Sequence, residues 1–187
     1  MSKSKGNLGY RVALGGLLVA MMLILGYVET LLQGLVPTGI PGIKLGISNG
    51  VLLFALYLMD IRSTLILMVL KVGLSGLLFG NPMTMLFAFC GGALSLAGMI
   101  PLSRVKGINI ITVSMVGAVL HNVGQIMAAR LVMTEVSPAI LLRYLAVLMA
   151  VALVTGAATG ILAREVVNRL GHVVNKKMGR SDRSVID

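Results

Sequence analysis

Apolar residues along this chain come in runs close to the roughly 20 residues that a helix needs to cross a bilayer, broken by short clusters of charge, glycine and proline. With those clusters as boundaries, the pattern predicts six helices over residues 11–33, 46–59, 62–80, 83–102, 109–133 and 138–163. Polar backbone at bilayer depth must be satisfied internally, which favours helix in each run. The second is short and is expected to be tilted or shielded by its neighbours. The predicted architecture is an all-α polytopic membrane protein, with a six-helix membrane domain over residues 1–165 and a basic cytoplasmic tail over 166–187.

Composition narrows the class further. Hydrophobic residues make up 57% and charged residues 12%, with a mean hydropathy of +0.99, more apolar than the roughly 45–50% of soluble domains. At 187 residues the chain accommodates at most about six or seven spans. The first apolar run follows Lys3, Lys5 and Arg11 as a signal peptide would, but no small-residue cleavage site follows it, so it is expected to be retained. The single cysteine, Cys90, lies in an apolar run and reads as core filler.

The net charge is +10, and its distribution argues against nucleic acid, because the cations lie at membrane ends rather than on a soluble basic face with stacking aromatics. With the amino terminus inside, Lys3, Lys5, Arg11, Arg62, Arg104, Lys106 and the six cations from Arg164 to Arg183 fall on the cytoplasmic side, twelve of sixteen. The positive-inside rule therefore places both termini in the cytoplasm of a cell-membrane protein. Membrane lipids with anionic head groups account for most of this charge. The tail "REVVNRLGHVVNKKMGR" alternates valines with cations, as a helix lying on the membrane surface does.

Four cations break the trend: Lys44, Lys71, Arg130 and Arg143. Lys71 falls nine residues into the third span, at a depth where an ionisable residue costs about 2.5–3.5 kcal/mol. Either it is a structural ion pair or snorkelling lysine, or it lines a polar cavity that Ser75, one turn on, shares. The fifth span holds "LHNVGQIMAAR", in which His121, Asn122 and Gln125 project from one side. Such a stripe serves either as hydrogen-bonded glue between helices or as a ligand-facing cluster. A metal site finds little support, because the other histidine, His172, lies in the tail. Arg130 and Arg143 either snorkel to head groups or, with Lys44 and Lys71, draw an anion to the outer half of the protein; arginine suits phosphate and carboxylate by bidentate geometry.

Small residues offer a second kind of surface. Gly16 and Ala20 in the first span and Gly156 and Gly160 in the sixth permit close helix approach, either inside the bundle or against a partner subunit. No nucleotide-cradling G-x-x-x-x-G-K-[ST] run, no aspartate pair suited to magnesium and no catalytic triad spacing is present, so no catalytic residues and no resident cofactor are expected.

The first helix ending in "YVETLLQ", the loop "VPTGIPGIKLGISN" and the short helix after it resemble the Gx transporter family, whose members are labelled component I of heptaprenyl diphosphate synthase. That family is similar in turn to the substrate-binding S components of energy-coupling-factor transporters. The resemblance covers residues 10–165 and is most specific at 41–49. It implies a six-helix bundle in which the first loop caps an outward-opening pocket, with Lys44 and Asn49 at the cap and His121, Asn122, Gln125 and Arg143 in the pocket. It also implies an energising or coupling membrane subunit, which S components contact through an Ala-x-x-x-Ala motif; here those positions hold Gly16 and Ala20.

These readings combine in a transporter of a small anionic molecule, with a flavin nucleotide as the leading cargo, and a noncatalytic membrane subunit of an isoprenoid-handling complex as the competing class. Prenyl transfer needs carboxylate-bound magnesium, for which this chain lacks the acids. The topology has a direct test. In a Cys90→Ser background in intact cells, Ser4→Cys and Ser181→Cys should resist a membrane-impermeant maleimide while Asn81→Cys reacts; labelling of either terminal cysteine refutes the assignment.

Overall fold

The computed structural model describes residues 2–35 and 46–178. Among them are six α-helices and no strand: α1 (Ser2–Leu35), α2 (Gly50–Leu58), α3 (Ile61–Phe79), α4 (Pro82–Leu102), α5 (Ile110–Val132) and α6 (Pro138–Met178), with a 3-10 turn at Ile47–Asn49 leading into α2. Five of the six are long and apolar enough to cross a membrane; the 3-10 turn and α2 together form a shorter apolar helix, Ile47–Leu58. At about 1.5 Å per residue that segment spans roughly 18 Å, little more than half of the hydrocarbon thickness. The chain is therefore an all-α bundle with one half-length lane.

The boundaries follow local chemistry. Asp60 caps α3 by accepting from the Ser63 N–H at 3.2 Å, and Asn109 caps α5 through Ile111 N–H at 2.9 Å. Asn81 and Thr84 form a reciprocal capping box ahead of α4, with Pro82 in its first turn. Each side chain satisfies backbone donors that the first helical turn leaves free.

Two helices outrun the predicted spans. α1 starts at Ser2 and α6 continues to Met178. Residues 166–178, expected from the sequence in a basic tail, thus continue α6, and residues 179–187 of that tail lie outside the described residues. The reason is periodicity: Ala163, Val167, Gly171 and Val174 continue the inward stripe of α6, and the three with side chains beyond hydrogen join the main core with Leu18, Leu53 and Met59. Val167 and Val174 thus pack on protein, whereas Leu170 and Val173 are exposed.

At this end of the bundle Lys177 of α6 sits over the Tyr10 ring of α1, 5.4 Å from its centroid. Arg11 pairs with Asp60 and also donates to Ser63 Oγ at 3.1 Å. The N-terminal end of α1, the α2–α3 junction and the C-terminal end of α6 therefore lie together, as an even number of crossings requires.

Glycine governs the packing of α4, α5 and α6. A Cβ on Gly156 would stand 2.9 Å from Met115 Cα, one on Gly160 2.8 Å from Ile111 Cα, and one on Gly124 2.6 Å from the Cys90 carbonyl oxygen. The G-x-x-x-G of α6 thus serves internal packing. Gly16 and Ala20 are exposed on α1, and a Cβ on Gly16 would meet nothing within 4 Å. Gly160→Leu should lower stability by about 1–3 kcal/mol or more, while Gly16→Leu should change it by less than about 0.5 kcal/mol. Thermal unfolding of the two purified variants in detergent separates the roles, and equal loss in both refutes the assignment.

Candidate functional site

The half-length lane brings a helix start into the middle of the bundle. Gly46 precedes the 3-10 turn with φ of +83°, a left-handed conformation that favours glycine, and Asn49 N–H closes the turn on the Gly46 carbonyl at 2.9 Å. The donors at such a start find no water in hydrocarbon. Glu29 of α1, fully buried, supplies the acceptor: its carboxylate takes the Ile47 N–H and the Ser48 hydroxyl, the latter at 2.9 Å. Asn49 anchors the other side by donating from Nδ2 to Ser95 Oγ of α4 at 2.8 Å.

Beside this turn lies the polar stripe of α5. A Cβ on Gly46 would stand 3.0 Å from His121 Cδ2, so the turn packs directly on the imidazole. His121 Nε2 lies 2.8 Å from the Gln125 amide nitrogen. With that amide donating, the histidine proton sits on Nδ1, which faces the Gly91 backbone of α4 without completing a good hydrogen bond. Asn122 turns toward α6 and donates from Nδ2 to the Leu148 carbonyl at 3.0 Å, leaving Oδ1 buried and unpartnered. Lys71 of α3 is 7% exposed and close enough to His121 for its charge to bear on the ring. Gly91 and Gly92 open the gap between them: Gly91 faces His121, and Gly92 faces Met68, one turn before Lys71.

Of the residues singled out by sequence, Asn49, Lys71, His121, Asn122 and Gln125 are all buried: His121 packs on the 3-10 turn and bonds Gln125, while Asn122 turns to α6. Arg130, in the last turn of α5, and Arg143, near the start of α6, are exposed and are not drawn into this cluster. Lys44 lies outside the described residues. Ser75 donates to the Val72 carbonyl at 3.3 Å and is half-buried. Sequence reasoning missed the role of Glu29 as the cap and the part played by Ser48 and Ser95. The available signal was an acid in an apolar run, 18 residues before a Gly-Ile-Ser-Asn turn.

The arrangement has a polar centre within an apolar shell: Lys71 and the His121 Nδ1 proton supply donors, and Asn122 supplies an acceptor. His121 Nδ1 and Asn122 Oδ1, buried without partners, cost about 1–3 kcal/mol each, and a bound polar molecule would recover that cost.

Residues 18–166 match the family described as heptaprenyl diphosphate synthase component I. Comparison with curated proteins and with solved structures returned no match.

Glu29→Gln retains the shape of the cap but removes its charge and exchanges one acceptor oxygen for a donor. It should destabilise the fold by about 1–3 kcal/mol, against near zero for exposed Glu135→Gln. Thermal unfolding in detergent measures both, and an unchanged midpoint for Glu29→Gln would remove the cap from its central place.

Proposed function

This chain belongs to the heptaprenyl diphosphate synthase component I family, and from that premise we propose that it is a membrane transporter that binds and translocates a small anionic molecule at its central polar cluster, with a flavin nucleotide as the leading cargo. The observation that carries this reading is the grouping of Lys71, His121, Asn122 and Gln125, all buried, beside a helix start held at mid-bundle. A buried lysine in a spanning helix marks a ligand path more readily than a fold support, because a neutral residue would pack there at lower cost. Phosphate oxygens would accept from Lys71 and from His121 Nδ1, while a hydroxyl or imide N–H would meet Asn122 Oδ1. A flavin-sized ligand requires the 3-10 turn to part from α5, with the motion coming from a separate energising subunit, as the likeness to S components implies.

The family description itself favours a second reading, a noncatalytic membrane subunit of a prenyl diphosphate synthase working beside a partner component. The commitments of the described acids support the noncatalytic part. Glu29 caps the turn, Asp60 pairs with Arg11 and Glu165 pairs with Arg169, so these three are engaged away from any magnesium diphosphate. In this reading the central cluster holds the diphosphate of a prenyl chain, and the apolar shell takes the tail.

Purified protein should carry a yellow chromophore absorbing near ~450 nm, as flavins do. Added flavin mononucleotide at ~100 times its dissociation constant should stabilise the fold by about 2.7 kcal/mol. Lys71→Met should weaken that binding at least ~10-fold, the scale of one charge-assisted contact. Colourless protein, indifferent to flavins and stabilised by a prenyl diphosphate, would overturn the transport reading in favour of the subunit.

A further inference from the structure

A second polar feature lies on the other side of the 3-10 turn, where α2, α4, α5 and α6 converge. Asn49, Ser114, Thr155 and Thr159 line a crevice completed by Gly46, Gly50, Gly117 and Gly156 with a few apolar side chains. It contains no charged residue among the described side chains. It has room for one water-sized particle.

The decisive feature is where the hydroxyl protons go. Thr159 Oγ1 donates to the Thr155 carbonyl at 2.8 Å, and Thr155 Oγ1 donates to the Val151 carbonyl at 3.0 Å. A hydroxyl has a single proton. In the 3.0 Å contact between Ser114 Oγ and Thr159 Oγ1, serine is therefore the donor. Asn49 directs one amide proton to Ser95 and leaves Oδ1, in a side chain 3% exposed, without a partner. The crevice thus presents oxygen lone pairs from four side chains with their hydroxyl protons already spent.

A site lined by such oxygen acceptors suits a hard cation, whose hydration shell they replace. The acid bonded to the turn favours the same sign. The buried Glu29 carboxylate binds Ser48, next to Asn49, and covers the donor end of the turn, offsetting the positive pole that would repel a cation. We infer that this crevice is a binding site for one monovalent cation of sodium size, held by Asn49 Oδ1 and the hydroxyl oxygens of Ser114, Thr155 and Thr159. It is separate from the ligand assigned to the central cluster and does not depend on that ligand's identity. Because Asn49 belongs to the turn that packs on His121, occupancy would fix the turn in place, and the ion would be linked to whatever the central cluster binds.

The probe is sodium itself, and the sample is the full chain in detergent. Thermal unfolding is followed as sodium chloride replaces choline chloride at constant ionic strength, which holds general screening fixed. The midpoint should rise and saturate with sodium. Asn49→Asp, which adds a charge to the oxygen set, should bind sodium about 10-fold more tightly, and Ser114→Ala should bind it about 10-fold more weakly. An identical midpoint in sodium and choline would overturn the site and leave the crevice to water. So would a sodium response that neither variant alters. Asn49→Asp reads in the direction of gain, which misfolding cannot imitate, and Ser114→Ala decides the matter if the Asn49 variant does not fold. Flavin binding without a sodium effect would leave the transport reading standing and remove only the ion.

Discussion

A helix that begins inside hydrocarbon has nowhere to put its first backbone donors, and the carboxylate of Glu29 resolves that constraint. Much of the central geometry follows from this contact. With Ile47 and Ser48 held, the Ile47–Leu58 segment keeps its depth, Gly46 lies against His121, and Asn49 reaches Ser95. Without the cap, the turn would have to move outward to reach water, carrying Asn49 away from α4. A buried acid is costly alone, yet here it is matched to donors that would themselves be costly, so each offsets part of the other's penalty.

The second organising element is the run of glycines on α4, α5 and α6. Gly91 and Gly92 make room for His121 and Met68, while Gly124, Gly156 and Gly160 let helix backbones approach almost to contact. Lipid tails are as apolar as leucine, so helices in a bilayer gain association from close packing and interhelical hydrogen bonds rather than from exclusion of water. The same closeness brings Ser114 of α5 within 3.0 Å of Thr159 of α6 and lets Asn122 reach the Leu148 carbonyl. Packing and polarity are therefore two results of one choice of small residues.

Much of this was legible in the residues. The starts of α3, α4 and α5 fall within a residue of expectation, because the charge, glycine and proline that mark the breaks lie beside the capping residues Asp60, Asn81 and Asn109. The buried stripe of His121, Asn122 and Gln125 follows from helical spacing, and Lys71 from its depth. The packing of Val167 and Val174 on the core was not legible, because an inward stripe such as Ala163, Val167 and Val174 has the same period whether it packs on protein or on lipid. Glu29 was visible as an acid, but its partners are 18 and 19 residues away across a turn, and no local pattern announces a backbone recipient. Arg130 and Arg143 illustrate a related gap: sequence states that a charge exists near a helix end, while the helix's rotation within the bundle decides whether it faces inward.

The length of α6 carries a mechanical consequence. Its 41 residues form a rod of about 60 Å, roughly twice the hydrocarbon thickness, and its far end is joined to the start of α1 through Lys177 and Tyr10. A rod of that length acts as a lever: tilting it by ~10° sweeps its end through about 10 Å. Small reorientations at the polar centre would thus appear, amplified, at the opposite end of the molecule, where a second protein could sense them without ever touching the ligand.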